Sequence, residues 1–203
     1  MNNILEYLDE LFPNPHCELN YNKDYELLLA VMLSAQTTDK RVNMVTDILF
    51  KKYNTLEKLA TADLNDIIEI IKPLGTFNKK ASNIINISKR LIEDKNKIVV
   101  NDREYLESLP GVGRKTVNVV LANLYNEPLI AVDTHVSRVS KRLGIAKDKD
   151  DVKVVEKKLN KFFPKNKLSR LHHQLVLFGR YYCKAQKPMC NNCKLKNICK
   201  KNK

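Results

Sequence analysis

The sequence predicts an all-α protein. Apolar residues recur at three- and four-residue spacing through most of the chain, which is the period of a helix that packs one face on a core. Two short apolar runs, 98–100 and 129–132, would suit strands in isolation, but nothing nearby supplies a partner run or a hairpin turn. We therefore interpret both runs as connectors between helices.

Apolar stripes mark the helices in chain order, and residues that favour helix N-termini lie ahead of several of them. The stripes are Leu5-Leu8-Leu11, Leu28-Leu29-Met32-Leu33, Val42-Val45-Leu49, Ile84-Ile85-Ile87-Leu91, Val117-Val120-Leu121-Leu124 and Val152-Val155-Leu159-Phe162. The expected capping residues are Asp24, Asp39, Asn101 and Asp133. With 203 residues, the chain can bury a core in one domain or in two small ones.

The composition argues against a membrane span and favours a polyanionic partner. No apolar run is long enough for a spanning helix, and the N-terminus lacks the basic-then-apolar pattern of a secretory signal, so we expect a cytoplasmic protein. The 36 Lys and Arg outnumber the 23 Asp and Glu, which gives a formal net charge of +13. Such a charge favours nucleic acid through counterion release. A lysine-rich host proteome would give the same charge. The positions of the basic residues must therefore decide between a nucleic-acid partner and a general compositional bias.

Residues 101–125 predict a helix, a tight turn and a second helix. The turn contains Gly111 and Gly113, and Arg114 and Lys115 open the second helix. Glycine leaves backbone N–H groups accessible, and a helix N-terminus adds unpaired donors and the positive end of the helix dipole. This arrangement suits an anion, and in a basic protein we expect a DNA phosphate bound without regard to sequence. An ordinary αα-corner would use the same turn residues.

Two residues invite a catalytic interpretation beside a simpler one. Lys115 lies in the first turn of its helix, where the dipole disfavours an ammonium and favours the neutral amine that a nucleophile needs. A solvated, phosphate-binding lysine is the alternative. Asp133 stands at a helix start after an apolar connector, where it either only caps the helix or also acts as an electrostatic partner. The local sequence leaves both questions open.

Four of the five cysteines cluster near the C-terminus, at Cys183, Cys190, Cys193 and Cys199. In a chain without export signals, such a cluster predicts metal binding rather than disulfides. Zinc sites more often use two Cys-x2-Cys pairs, and only one is present, while four thiolates also suit an iron-sulfur cluster. The spacing alone leaves both open. Cys17 stands apart, and we interpret it as a small buried residue or an incidental thiol.

Four separated motifs together resemble the helix-hairpin-helix DNA glycosylases, in particular the endonuclease III branch. In chain order they are ELLLAVMLSAQTTD at 26–39, LPGVGRKT at 109–116, VDTHV at 132–136 and the cysteine cluster. The resemblance covers essentially the whole chain. It implies a two-lobed glycosylase fold with a C-terminal iron-sulfur cluster loop. The four cysteines would hold a single 4Fe-4S cluster, with one ligand from each, and the cluster would have a structural and DNA-docking role.

The resemblance also sets the expected domains. A helical barrel domain is expected at 18–128, with the helix-hairpin-helix at 101–125. The second helical domain is expected to combine 1–17 with 129–203 and to carry the cluster at 183–199. Lys115 and Asp133 would face each other across the cleft.

The activity implied is that of a bifunctional DNA glycosylase and abasic-site lyase of base excision repair. Lys115 would attack C1′ of the damaged nucleotide, expel the base and form an imine, and β-elimination would then break the strand on the 3′ side. Asp133 would stabilise positive charge on the sugar and assist proton transfer. The expected partner is double-stranded DNA containing damaged pyrimidines or abasic sites, bound by a monomer in the cytoplasm at the nucleoid.

The family's DNA contacts map onto several further positions. Gln36 would enter the space that the extruded nucleotide vacates, and Leu74 would wedge between bases. A helix-helix turn with a buried leucine is the alternative for Leu74, and Thr76 stands where some relatives have a larger apolar residue. The remaining expected DNA-binding residues are Asp39, Gly111, Gly113, Arg114 and His135.

Two other functions compete with this interpretation. The first is an adenine-mismatch glycosylase of the same superfamily, whose branch generally lacks a lysine at the position of Lys115 and carries an extra C-terminal domain. The second is a non-catalytic DNA-binding module that uses the hairpin only to hold phosphates.

Overall fold

The computed structural model describes residues 1–202, and within that range it contains eleven α-helices and no β-strand. The all-α prediction is therefore confirmed, and both apolar runs interpreted as connectors are irregular. The helices are α1 (Asn2–Leu11), α2 (Asp24–Leu33), α3 (Asp39–Lys52), α4 (Leu56–Ala60), α5 (Leu64–Ile71), α6 (Phe77–Lys95), α7 (Arg103–Glu107), α8 (Arg114–Tyr125), α9 (Thr134–Arg142), α10 (Val152–Phe162) and α11 (Leu168–Leu177).

The chain divides into two compact units, which we call the central and the terminal unit. The central unit is Cys17–Val120, and the terminal unit combines Met1–His16 with the chain from Leu121 onwards. This division falls within α8, earlier than the sequence-based boundary at 128/129. One reason is that Ser169 of α11 donates a hydrogen bond to the carbonyl oxygen of Ala122, which ties the end of α8 to the terminal unit. The functional domain bounds of 18–128 and 1–17 with 129–203 stay a prediction.

The central unit is built around α2. Nine of the ten residues of this helix are buried, so it is apolar on all sides rather than on one face. The long helix α6 packs on α2, α4 and α5, and α3 packs on α2 and α5. Burying each leucine side chain contributes roughly 1.5–3 kcal/mol. The buried run Leu27–Leu33 therefore fixes the position from which the following loop, 34–38, leaves the core.

In the terminal unit, the N-terminal helix joins helices from the other end of the chain. α11 packs on α1 and α9, and α9 packs on α10. Asp9 of α1 accepts hydrogen bonds from Gln174 and from Arg170, each at 2.8 Å. The Gln174 hydrogen bond, and next the Arg170 bond, lower the pKa of Asp9 from its ordinary value. These contacts explain why α1 belongs to the same unit as α11.

The N-termini differ in detail from the predicted caps. Asp133 caps α9, as predicted. The hydroxyl of Thr38, rather than Asp39, caps α3, and Asp102, rather than Asn101, caps α7. Asp24 is the first residue of α2, and its carboxylate accepts a hydrogen bond from the backbone N–H of Val99 at 2.8 Å. That bond anchors the apolar run 98–100 and satisfies a donor that would otherwise need a strand partner.

Among residues 1–202, every helix is too short or too polar to cross a bilayer.

Candidate functional site

The predicted helix, tight turn and second helix are present as α7, residues 108–113 and α8, and the turn and the start of α8 belong to the central unit. The backbone N–H of Val112 donates to the carbonyl oxygen of Leu109 at 3.1 Å, which closes the turn. Leu109 and Val112 are buried, whereas Gly111 and Gly113 are exposed. The apolar side chains therefore anchor the turn to the core while the glycine backbone faces outward.

The two glycines have different roles. Gly111 has a φ of +78°, in the left-handed region, and a Cβ there would overlap the Nδ2 atom of Asn83 and lie 3.5 Å from Cγ of Met32. The turn can therefore approach α6 and α2 this closely only without a side chain. Gly113 has no positive φ, and a Cβ there would meet nothing within 4 Å. The fold therefore does not require glycine at position 113. The physical consequence of glycine there is that the backbone stays accessible to a ligand.

Arg103 holds the two helices of the hairpin together. Its Nη2 atom donates to Oδ1 of Asn118 in α8 at 2.8 Å, and its Nη1 atom donates to Oε1 of Glu107 at 3.0 Å. Asn118 is buried, so this bond is shielded from water on one side. The start of α8 is thus fixed both by the turn and by a side-chain bridge.

Lys115 is the second residue of α8 and is exposed, as is Arg114 before it. The side chain of Lys115 makes no hydrogen bond or ion pair to the described part of the chain. An amine in this position is accessible to a substrate, and the first-turn N–H groups beside it provide the positive end of the α8 dipole.

The loop between α2 and α3 carries the predicted residue Gln36 at its exposed surface. Gln36 adopts a φ of +60°, which a non-glycine side chain rarely adopts. Asp39 lies in the first turn of α3 and is half-buried. The loop therefore presents Gln36 outward in a strained backbone conformation.

Leu74 is buried, at 4% exposure, in a 3₁₀ turn (Lys72–Leu74) between α5 and α6. This is the arrangement of the simpler alternative, a helix-helix turn with a buried leucine. The exposed tip of the turn is formed by Gly75 and Thr76, with φ of +68° and +46°. To wedge between bases, Leu74 would have to leave the core, and that role stays a prediction.

Lys80 was missed by sequence reasoning. It is only 5% exposed, and its Nζ atom donates to the carbonyl oxygens of Ala35 at 2.9 Å and Leu74 at 3.2 Å. Burial lowers the pKa of Lys80 from its ordinary value. A sequence signal did exist, because position 80 continues the apolar stripe of Ile84, Ile87 and Leu91 one turn upstream.

In the terminal unit, Asp133 caps α9. Its Oδ1 atom accepts from the backbone N–H of Val136 at 2.7 Å, and its side chain is half-buried. The capping role is therefore present, and it fixes the orientation of the carboxylate. His135 is half-buried, its Nδ1 atom lies 3.2 Å from Nη2 of Arg138, and its backbone lies against Gly179, where a Cβ would approach Cα of His135 to 3.3 Å.

The four C-terminal cysteines line one cavity of the terminal unit. Apart from the thiols, its lining is mostly apolar and contains no carboxylate or imidazole: Arg142, Leu143, Phe178, Tyr182, Pro188, Met189, Leu195 and Lys201. Burial raises the pKa of the Cys193 thiol, and the nearby thiols of Cys183, Cys199 and Cys190 raise it further. Nη1 of Arg142 lies 3.3 Å from Sγ of Cys183. The donor set is thus four thiols, which suits a thiolate-bound metal group.

Among residues 1–202, no three His, Cys, Asp or Glu side chains converge closely enough to hold a single metal ion. An iron-sulfur cluster differs in this respect, because each of its irons takes one cysteine thiolate and the thiols surround the cluster at a distance from one another. Cys17 lies in the central unit and does not line the cavity.

Comparison with known proteins finds one family over most of the chain. Residues 29–165 match the family described as "HhH-GPD superfamily base excision DNA repair protein". The chain is 48% identical over 196 residues to endonuclease III of Bacillus subtilis (strain 168), an alignment that covers 97% of this chain and 90% of that protein.

Two solved structures are similar over nearly the full length. One is a non-covalent endonuclease III–DNA complex, and the other is a trapped endonuclease III–DNA covalent intermediate. Each is 46% identical in sequence with a TM-score of 0.94, and the superposition covers 99% of this chain and 94% of the other.

The contrast between the two hairpin glycines gives a test of the turn. Gly111→Ala is expected to lower the free energy of unfolding by at least about 1–2 kcal/mol, because it combines a left-handed backbone with overlap at Asn83. Gly113→Ala is expected to change it by less than about 0.5 kcal/mol. Urea denaturation of both variants measures the difference. Equal stability of the two variants would contradict the packing described for Gly111.

Proposed function

Because the chain belongs to the HhH-GPD superfamily of base excision DNA repair proteins, and within it to the endonuclease III family, we propose that it is a bifunctional DNA glycosylase and abasic-site lyase. The observation that carries the proposal is the exposed amine of Lys115 at the start of α8, directly after the glycine turn. Its substrates are damaged pyrimidines, above all oxidised ones, and abasic sites in duplex DNA, and it acts as a monomer at the nucleoid.

The hairpin binds the DNA backbone in this proposal. The exposed backbone at Gly113 and the N-terminal N–H groups of α8 suit a phosphate oxygen, and the dipole of α8 adds positive potential there. Arg114 adds a permanent cation beside the turn. The net charge of +13 supports association with any DNA sequence, which a search for rare lesions requires.

Lys115 is the nucleophile. Its neutral Nζ forms a bond to C1′ of the extruded nucleotide, and the glycosidic bond breaks so that the base departs with the bonding electrons. Loss of a proton from nitrogen and opening of the sugar give an imine. Removal of a C2′ proton then breaks the C3′–O bond, so that the 3′ phosphate leaves. The enclosure of Nζ by DNA removes water from the amine, and this desolvation favours its neutral form.

Asp133 stabilises the positive charge that develops on the sugar and assists proton transfer. Its cap bond to Val136 occupies Oδ1 and holds the carboxylate in one orientation, which leaves Oδ2 for the reacting groups. A carboxylate near an amine also favours the ammonium, so Asp133 cannot be the reason that Lys115 loses its proton. The proposal therefore assigns deprotonation of Lys115 to desolvation.

Four further residues are proposed to contact DNA at or near the extruded nucleotide. Gln36 is exposed and suits entry into the vacated space, while Asp39, Leu74 and His135 are expected to contact DNA near the lesion. Leu74 requires a change of the 3₁₀ turn, since its side chain is buried. Extruding a nucleotide costs a few kcal/mol, and less for a damaged pair, which supports selection of lesions.

Cys183, Cys190, Cys193 and Cys199 are proposed to hold a 4Fe-4S cluster, one ligand from each residue. The shared cavity and its all-thiol donor set support this proposal. When bound, the cluster supplies a cross-link that stabilises residues 183–199. The apolar lining limits access of water, and Arg142 beside Cys183 compensates thiolate charge.

Borohydride trapping on abasic duplex DNA tests the nucleophile. The wild-type protein is expected to give a covalent adduct, and Lys115→Gln is expected to reduce its yield by at least about a thousandfold, because no other amine replaces the nucleophile. Lys153→Gln is the matched control, since Lys153 is an exposed lysine in the second position of α10. A non-catalytic DNA-binding module predicts no adduct from any of the three proteins.

Two substitutions at Asp133 separate its charge from its capping role. Asp133→Asn retains an N-cap oxygen, so stability and DNA binding are expected to match wild type while the rate of base excision falls by about 10²–10⁴. Asp133→Ala is expected to lose in addition about 1 kcal/mol of stability. Single-turnover rates and urea denaturation provide the two readouts. Wild-type turnover by Asp133→Asn would remove the carboxylate from the mechanism.

The metal content of anaerobically purified protein tests the cysteine assignment. Bound iron, inorganic sulfide and a broad visible absorption are expected, and Cys193→Ser is expected to lose them because one thiolate ligand is gone. Cys17→Ser is the control and retains the absorption. Stoichiometric zinc in a colourless wild-type protein would overturn the iron-sulfur proposal.

A further inference from the structure

The buried amine of Lys80 is held without a counterion from residues 1–202. Within the described chain, no carboxylate oxygen lies within 4 Å of its Nζ atom, and both hydrogen bonds it donates end on backbone carbonyl oxygens. A cation of this kind stabilises the fold poorly, since the loss of its hydration is not offset by an opposite charge. An apolar side chain of the same length would serve the core better. The position of Lys80 therefore calls for an explanation other than core stability.

The two carbonyls belong to the two loops that carry the proposed DNA-probing residues. Ala35 directly precedes Gln36, and Leu74 directly precedes the Gly75–Thr76 tip. The carbonyls lie 45 and 6 residues away from Lys80 in sequence, so the ammonium links two segments that are far apart in the chain. Lys80 is thus a bridge between the 34–38 loop and the 72–76 turn.

Both loops hold strained backbone next to this bridge. Gln36 and Thr76 adopt φ of +60° and +46°, and each lies within two residues of a carbonyl that Lys80 binds. Non-glycine residues persist in such conformations only when their surroundings fix them. The two hydrogen bonds from Lys80 restrain the backbone directly beside both residues.

Helix α6, which carries Lys80, also contacts the turn of the hairpin. Asn83 lies one turn beyond Lys80 on α6, and it contacts the turn at Gly111. Met32, the other contact of Gly111, lies on α2 three residues before Ala35. The first turns of α6 therefore bring the hairpin and both loops to one region of the central unit.

We propose that Lys80 is a positioning residue, which fixes the 34–38 loop and the 72–76 turn in the relative arrangement needed to extrude a nucleotide from the duplex. The inference rests on the proposed function, because it assumes that these loops enter the DNA. Lys80 does not touch the reacting atoms. Its contribution belongs to extrusion, so it matters most when the lesion is paired and stacked.

Substitution by methionine and by glutamine tests this proposal. Lys80→Met retains length but loses both hydrogen bonds, and Lys80→Gln retains amide donors. Lys79→Met is the matched control, since Lys79 is the exposed neighbour and its loss removes the same charge. Single-turnover base excision is measured on thymine glycol placed opposite adenine, and on the same lesion placed opposite a tetrahydrofuran residue. Unstacking is followed by fluorescence of 2-aminopurine next to the lesion.

Lys80→Met is expected to slow excision of the paired lesion by about 10–100-fold, and of the unpaired lesion by less than about threefold. The increase in 2-aminopurine fluorescence on binding is expected to be smaller for Lys80→Met, in parallel with the excision rate. Lys80→Gln is expected to recover part of both the rate and the fluorescence increase. Lys79→Met is expected to behave as wild type on both substrates. The melting temperature of Lys80→Met is expected to equal or exceed that of wild type, because the cost of burying a cation is gone.

Three results would overturn the assignment while leaving the proposed function intact. These are wild-type rates for Lys80→Met on both substrates, an equal loss on both substrates, and a large drop in melting temperature for both Lys80 variants, which would make Lys80 a structural core residue. If the wild-type protein excised neither lesion, the proposed function and this inference would both fail.

Discussion

The close approach of the turn at Gly111 to α6 and α2 is the contact on which the candidate site depends. The space between the turn and the side chains of Asn83 and Met32 admits no Cβ. This contact, together with the Arg103–Asn118 bridge, fixes the direction in which α8 begins. The direction of α8 in turn sets where its N-terminal N–H groups and Lys115 are presented. Packing at Gly111 thereby determines where the backbone of α8 places Lys115.

The same region shows how stability and function are divided among side chains. Leucines of α2 are fully buried and provide the stability of the central unit. Lys80, by contrast, is buried at a cost, and it holds carbonyl groups of two loops that each contain left-handed non-glycine backbone. Strained backbone and a buried cation without a counterion from the described residues both cost stability, so a core alone does not explain why they occur together. They are consistent with a region that binds a ligand.

Sequence reasoning succeeded where the signal is local. The helical periodicity, the glycine turn and the Asp133 cap each depend on residues within a few positions of one another, and each is present. The predicted capping residue was wrong by one position at α3 and at α7. In each case two adjacent residues could cap the helix, and the backbone geometry selects Thr38 and Asp102. The helical period places Lys80 on the buried face of α6, but its hydrogen-bond partners could not be predicted from sequence, since one of its two acceptors is a backbone carbonyl 45 residues away.

In the proposed mechanism, the amine at the start of α8 is the group that becomes bonded to the DNA sugar. Its most direct test is peptide mapping, by mass spectrometry, of the borohydride-reduced adduct formed by the unmutated protein with abasic duplex DNA. A single modified lysine, Lys115, is expected to carry the reduced sugar remnant. A remnant on any other lysine, with Lys115 unmodified, would contradict it.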